Sequence, residues 1–235
     1  MKSKIKATPY YYSKQQQGID RRTKDLVIRR CAPFLRGPAV LDLGFVEGGW
    51  TDHVVGQGWR CEVVEGAKRH VEFARRRYAR QKNVIIRHSL FENFQASRRY
   101  DCIIAGDILR YIPDPVAFLS RLRGWLARKG RLIVTVPNSR SLHRRIGTLL
   151  DLEGHPEQAN ARDREVGNLR GYDRYQLRRE LEAAKLRVIE LRGCFLKPLS
   201  SRQMSGWSDD LLEAFLKIGD ELEDYAWFLY AVCEH

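Results

Sequence analysis

The stretch Val40–Glu65 reads VLDLGFVEGGWTDHVVGQGWRCEVVE. An apolar run carrying one acid, Asp42, ends at Gly44. Gly48 and Gly49 follow, then an amphipathic segment from Trp50, then a second apolar run at Cys61–Val64 that closes on Glu65. Apolar runs of strand length on either side of a glycine turn and a helical segment spell strand, turn, helix, strand. Each residue type has a physical task. Gly44 lets the backbone turn sharply where the strand ends, and Gly48 lets a ligand approach the main chain. The helix beginning near Trp50 aims free N–H groups into the crevice. Glu65, 21 residues beyond Gly44, offers a carboxylate able to accept two hydrogen bonds from a ribose diol. A dinucleotide site wants G-x-G-x-x-G, and the spacing of Gly44, Gly48 and Gly49 does not supply it.

Downstream, the spacing predicts a helix over 68–81, a short strand at Val84–Arg87, and a fourth strand at Tyr100–Asp107. Asp114 is a natural N-cap and Pro115 suits the first helical position. The helix that follows buries Phe118, Leu119, Leu122, Trp125 and Leu126, and Lys129-Gly130 reads as its stop. A fifth strand at Arg131–Val136 closes on Pro137-Asn138. Later come a helix over 173–184 capped by Asp173 and a sixth strand at Leu186–Leu196. A helix from Ser208 is expected to bury Trp207, Leu211, Phe215, Ile218 and Leu222. A last strand spans Trp227–Cys233.

The block Tyr100–Asn138, YDCIIAGDILRYIPDPVAFLSRLRGWLARKGRLIVTVPN, is the most specific in the chain. Together with Asp42, Gly44, Gly48 and Glu65 it resembles the class I methyltransferases that use S-adenosylmethionine, in particular the quinone and natural-product small-molecule group. The resemblance covers residues 38–140 in order. It implies an α/β fold with a single Rossmann-like seven-stranded sheet, mostly parallel with an antiparallel last strand and helices on both faces. It implies one domain over 1–235, with a helical lid at 1–37 and substrate-side insertions at 139–172 and 198–224. It places the cofactor on Asp42, Gly44, Gly48, Glu65, Ser89, Leu90, Gly106 and Asp107, with Glu92 as a further adenine contact. Three positions depart from the pattern. Val46 stands where relatives have glycine, Arg110-Tyr111 where many have Glu-His, and Asn168 where some have histidine. A valine does not readily adopt positive φ, so the glycine loop is expected to take a different path.

Methyl transfer asks mainly for binding and alignment from the protein. His143, in the insertion after the fifth strand, is the first candidate base, with Tyr111 and Tyr172 behind it. Arg140, Arg144 and Arg170 are candidate clamps for an acidic or phosphorylated small-molecule substrate. The tyrosine run 10–12 and His155 lie in segments expected at the substrate side. RNA or protein methylation, and a non-enzymatic binding role for the fold, stay open beside small-molecule O-methylation, which is preferred to N-methylation.

The bulk numbers set bounds. The 42 Lys and Arg against 29 Asp and Glu give a net charge of +13. The cations are scattered over expected outer helix faces without interleaved aromatics, which argues against a nucleic-acid groove. The five cysteines lie far apart, with no C-x-x-C and no metal-ligand spacing, so no metal site is expected and a reduced, cytoplasmic protein with core cysteines is. No apolar run reaches membrane-spanning length, and the basic N-terminus has no apolar secretory core.

Overall fold

A computed structural model describes residues 14–151 and 167–235, with side chains from Gly18 onward; the tyrosine run 10–12, His155 and Arg162 lie outside the described residues. Seven strands form one sheet in the order β3-β2-β1-β4-β5-β7-β6. They are β1 (Ala39–Leu43), β2 (Arg60–Glu65), β3 (Val84–His88), β4 (Tyr100–Gly106), β5 (Leu126–Pro137), β6 (Arg187–Cys194) and β7 (Phe228–Glu234). β1 pairs in parallel with both β2 and β4, which makes it the point where the strand order reverses. In open α/β sheets the ligand crevice lies outside the carboxyl ends of the strands at that point. β7 runs antiparallel to both β5 and β6, so the carboxyl end of β6 returns to the same edge as those of β1, β4 and β5.

The central strands are apolar throughout because both faces are covered. Leu41, Leu43, Ile103, Leu132 and Val134 point to one side, where α4 (Pro115–Trp125) and α6 (Arg174–Ala183) supply Phe118, Leu119, Leu122, Leu177 and Leu181. The alternate residues Val40, Cys102, Ile104 and Ile133 point to the other. There they meet α1 (Lys14–Cys31), α2 (Gly49–Gly56), α3 (Lys68–Arg77) and α7 (Asp209–Glu221). All five cysteines are free and buried. Among the described residues no helix is long and apolar enough to cross a membrane.

Three expectations change. α4 ends at Trp125 rather than at Gly130, because Leu126 turns extended and already pairs with Tyr100 at the start of β5. A register shift between Tyr100 and Cys102 absorbs the intervening residues. On α7 the inward residues are Leu212, Leu216 and Gly219, while Leu211, Ile218 and Leu222 are exposed. The reason is electrostatic and steric. The α7 acids Asp209, Glu213 and Asp220 turn to Arg22, Arg29 and Arg30 of α1, and Gly219 seats against the backbone of Phe195. α1 ends before Pro33, in a short 3-10 turn Ala32–Phe34.

Gly193 of β6 packs on the 3-10 turn Glu223–Tyr225, which delivers the chain to Trp227 and β7. A Cβ there would lie 2.3 Å from the Glu223 carbonyl oxygen, a backbone atom that cannot yield. Gly193→Ala is expected to cost about 2 kcal/mol or more through overpacking, read as a lower urea midpoint at unchanged m.

Candidate active site

The Gly44–Gly48 loop leaves β1 with two positive-φ glycines, Gly44 at 91° and Gly48 at 81°. Between them Val46 takes φ 47°, so the valine follows the left-handed course that a glycine would take instead of diverting the loop. For a β-branched residue that conformation costs on the order of 1–2 kcal/mol. The restraint comes from Glu65, at the end of β2. Its Oε2 accepts the Phe45 N–H at 3.0 Å and the Val46 N–H at 3.5 Å, and its Oε1 accepts the Ala67 N–H at 2.7 Å. His70 Nδ1 lies 3.5 Å from the same carboxylate. Burial alone would push the Glu65 pKa up, but His70 and the Ala67 and Phe45 N–H groups outweigh it and hold the pKa below the usual value.

Asp42 sits beneath the loop, 1% exposed. Its Oδ2 accepts the Thr51 hydroxyl at 2.7 Å, and its Oδ1 is buried with no partner. Across the crevice β4 ends at Gly106, whose missing Cβ leaves room for the Trp50 indole; a Cβ would stand 2.7 Å from Trp50 Nε1. Asp107 follows at φ 60°. Its N–H donates to Thr135 O at 2.8 Å and its Oδ2 accepts Arg110 Nη2 at 2.8 Å, while Oδ1 is buried and unpartnered. Burial raises the Asp107 pKa, opposed by Arg110 and by Lys24 of α1. At β3 the Ser89 N–H donates to Glu65 O at 3.1 Å, and the Leu90 side chain covers Gly66. Glu92 is exposed. The predicted cofactor residues Asp42, Gly44, Gly48, Glu65, Ser89, Leu90, Gly106 and Asp107 thus gather at the carboxyl ends of β1, β2, β3 and β4 and in the loops that follow them.

The predicted catalytic and clamp residues do not converge in the same way. His143, on α5 (Leu142–Leu149), donates its backbone N–H to Lys197 O at 3.1 Å. Its Nδ1 is buried without a partner, and burial, with Lys197 and Arg144 adding to it, lowers its pKa to about 3. Tyr111 stands under the Arg110 guanidinium, 5.0 Å from its ring centre. Tyr172 is a structural residue rather than a base: it is 1% exposed, its hydroxyl donates to Glu180 Oε2 at 2.7 Å, and its pKa is raised by burial and by Glu180. Arg170 is no clamp either, since it braces the Pro113 carbonyl at 2.8 Å and faces Glu180. Arg140 is exposed, and Arg144 is half-buried beside His143.

Residues missed in the sequence supply the rest of the site. Thr51, fully buried on α2, anchors Asp42; a threonine one residue past Trp50 on the buried helix face was the available signal. Asp20 and Lys24 share a face of α1 at helical spacing, but their partners are about 180 and 83 residues away, and no local pattern announces those. Lys197 stands just past β6 in a stretch read only as a strand end. Among the described residues no cluster of three His, Cys, Asp or Glu side chains is placed to hold a metal ion.

A family model described as a methyltransferase domain matches residues 12–191. No curated protein matches the chain. Solved structures share the fold at low identity. An S-adenosylmethionine-dependent methyltransferase from Mesorhizobium loti is 13% identical with a TM-score of 0.66, over 93% of this chain and 100% of that one. One from Clostridium acetobutylicum is 13% identical at TM-score 0.62, over 91% of each chain. The geranyl diphosphate C-methyltransferase of Streptomyces coelicolor is 14% identical at TM-score 0.62, over 97% of this chain and 86% of that one.

Asp42 gives the crevice a pH signature. Burial, opposed by the Thr51 hydroxyl, lifts its pKa to about 7. A carboxyl with a raised folded pKa binds more protons folded than unfolded, so it lowers stability as pH rises from its unfolded pKa to about 7. Asp42→Asn, which keeps an acceptor for Thr51, is expected to be more stable than wild type at pH 8 by on the order of 2–4 kcal/mol. That gain should vanish near pH 4, which urea unfolding at the two pH values measures.

Proposed function

The chain belongs to the methyltransferase-domain family, and on that premise we propose that it methylates a small-molecule acceptor at oxygen. S-adenosylmethionine is the cofactor, and when bound it supplies an electrophilic methyl group on a sulfonium. The residues present suit such a ligand. Asp42 and Asp107 each keep one buried carboxylate oxygen without a partner, one on either side of the crevice. A ligand that carries positive charge would pair these two orphaned carboxyl oxygens and draw both groups to their ionised form. Asp42, Gly44, Gly48, Gly106 and Asp107 would hold its charged end. Glu65 would hold the ribose, since Oε1 accepts one N–H and retains a lone pair. Ser89 and Leu90 would flank the adenine.

The observation that carries the oxygen assignment is the setting of His143. Two cations, Lys197 and Arg144, act on its ring. Burial and these cations keep the ring neutral, and a neutral imidazole with a free buried Nδ1 suits the hydroxyl of an oxygen acceptor. With a pKa of about 3, the imidazole is neutral at physiological pH and too weak a base to store a proton. Its role is to accept a hydrogen bond from the acceptor hydroxyl at Nδ1 and so orient it. The proton of the acceptor hydroxyl leaves to solvent as the methyl group is transferred. This reading keeps His143 as the leading catalytic residue and changes what it does.

Incubation with methyl-labelled cofactor and a panel of phenols, catechols, carboxylic acids and amines tests the assignment. Label is expected on oxygen, and His143→Gln is expected to lower turnover about tenfold or more while cofactor affinity stays the same. Transfer confined to amines would overturn the oxygen assignment.

A further inference from the structure

The positive charge of the chain is neutralised unevenly. On α1 the arginines Arg22, Arg29 and Arg30 meet acids of α7, and Arg174 of α6 meets Glu223 and Asp224. The segment that forms α3 differs. Residues 68–82 carry seven Lys and Arg against one acid, Glu72. Lys68 takes Glu72, and Arg77 turns to Asp52 of α2. Among the described residues Arg69, Arg75, Arg76, Arg80 and Lys82 form no ion pair, and all five are exposed.

β3 is an edge strand of the sheet, so α3, which leads into it, lies on the flank of the molecule. α3 turns Val71 and Ala74 inward. Its outer face carries Phe73, 40% exposed. Arg69 stands four residues before Phe73 and Arg76 three after it, the spacings that bring side chains together on one helix face. Arg80 follows in the turn beyond the helix end. The inner side of the Phe73 ring backs onto Phe45 of the glycine loop, with 6.0 Å between ring centres. An aromatic ring is thus set among cations on a convex flank. In water alone this arrangement is unfavourable twice over: the unpaired cations repel one another, and the ring exposes apolar area.

A partner that carries many negative charges on a flat front relieves both. A single-stranded nucleic acid asks instead for a groove and a succession of aromatic rings, and α3 offers a convex face with one ring. An anionic bilayer asks for clustered Lys and Arg to meet its head groups and for an apolar side chain to enter the boundary of the acyl chains. We propose that the outer face of α3 docks the protein on an anionic lipid surface. Arg69, Arg76 and Arg80 meet the head-group phosphates, for which the guanidinium fork is suited, and Phe73 enters between them. The contact is peripheral and needs no membrane-crossing helix; the described residues hold none. Through Phe45 the docked face adjoins the loop that Glu65 pins, on the cofactor side of the molecule. The inference does not depend on which acceptor is methylated.

Co-sedimentation of the full chain with vesicles tests this. One set of vesicles is phosphatidylcholine, the other an equimolar mixture of phosphatidylcholine and phosphatidylglycerol. At physiological salt the wild type is expected to bind the mixed vesicles at least about tenfold more tightly, and high salt should weaken that binding. The triple variant Arg69→Gln, Arg76→Gln, Arg80→Gln should lose about a hundredfold, roughly fivefold for each charge. Phe73→Ser should weaken binding several-fold with the salt dependence kept. A control of equal charge, Arg98→Gln, Arg128→Gln, Lys129→Gln, changes exposed cations near the starts of β4 and β5 and should bind nearly as the wild type does. Equal binding to the two kinds of vesicle, or equal losses in the α3 triple variant and the control, would overturn the proposal. So would single-stranded RNA that displaces the protein from the vesicles and itself binds the α3 variant more weakly. The two vesicle compositions compared with the wild type decide the matter even if a variant does not fold.

Discussion

The Glu65 carboxylate accepts backbone N–H groups from the loop that follows β1 and from the chain that leaves its own strand. Charge-assisted bonds of this kind contribute about 1.5–3 kcal/mol each. That is enough to offset the left-handed Val46, so a residue that opposes the turn is carried through it. With the loop fixed, Gly48 presents the N-terminus of α2, Thr51 reaches Asp42, and the Trp50 indole closes on Gly106. The two strands on either side of the switch point are thereby joined across the crevice. Glu65 is thus first a structural clamp, and its remaining lone pair is what it offers a ligand.

Strain marks the working edge of the sheet. Val46, Asp107 and Phe195, all non-glycine residues with positive φ, sit at the ends of β1, β4 and β6. Backbone of this kind persists where the surroundings over-determine it. Part of that determination comes from α1, which crosses the edge with Ile28 against Gly49, Lys24 toward Asp107 and Asp20 on Ser201. α1 is tied down in turn by Arg22, Arg29 and Arg30, which pair with Asp209, Glu213 and Asp220 on α7. The arginine excess of the chain is therefore used in part to hold a helix over the site. Partly exposed pairs contribute little singly, and the three together fix the seating of α1 on α7.

The succession of strands and helices along the chain was legible because it rests on local signals: apolar runs, glycines at turns, a capping acid before Pro115. What was not legible depends on partners distant in sequence. Glu65 reads as a ligand acid because its own partners are backbone N–H groups, which leave no mark in a side-chain pattern. Arg170 reads as a clamp, yet Pro113 and Glu180 occupy it. The α7 face was read one residue off because hydrophobic spacing alone does not register that Asp209, Glu213 and Asp220 must meet α1. The α4 boundary moved because Gly130 looks like a helix stop, whereas it is a close-packed position in β5 with Tyr100 O where its Cβ would stand. His143 was found from its place in the chain, but the burial that sets its chemistry, and the two cations that add to it, come into view only in the fold.

Calorimetric titration of S-adenosylmethionine into the wild-type protein and into Glu65→Ala tests the central claim, that this carboxylate builds the cofactor site by pinning the glycine loop. The account predicts micromolar binding by the wild type and a loss of at least about tenfold in the variant, with the fold retained by circular dichroism. Equal affinity in the two proteins would contradict it.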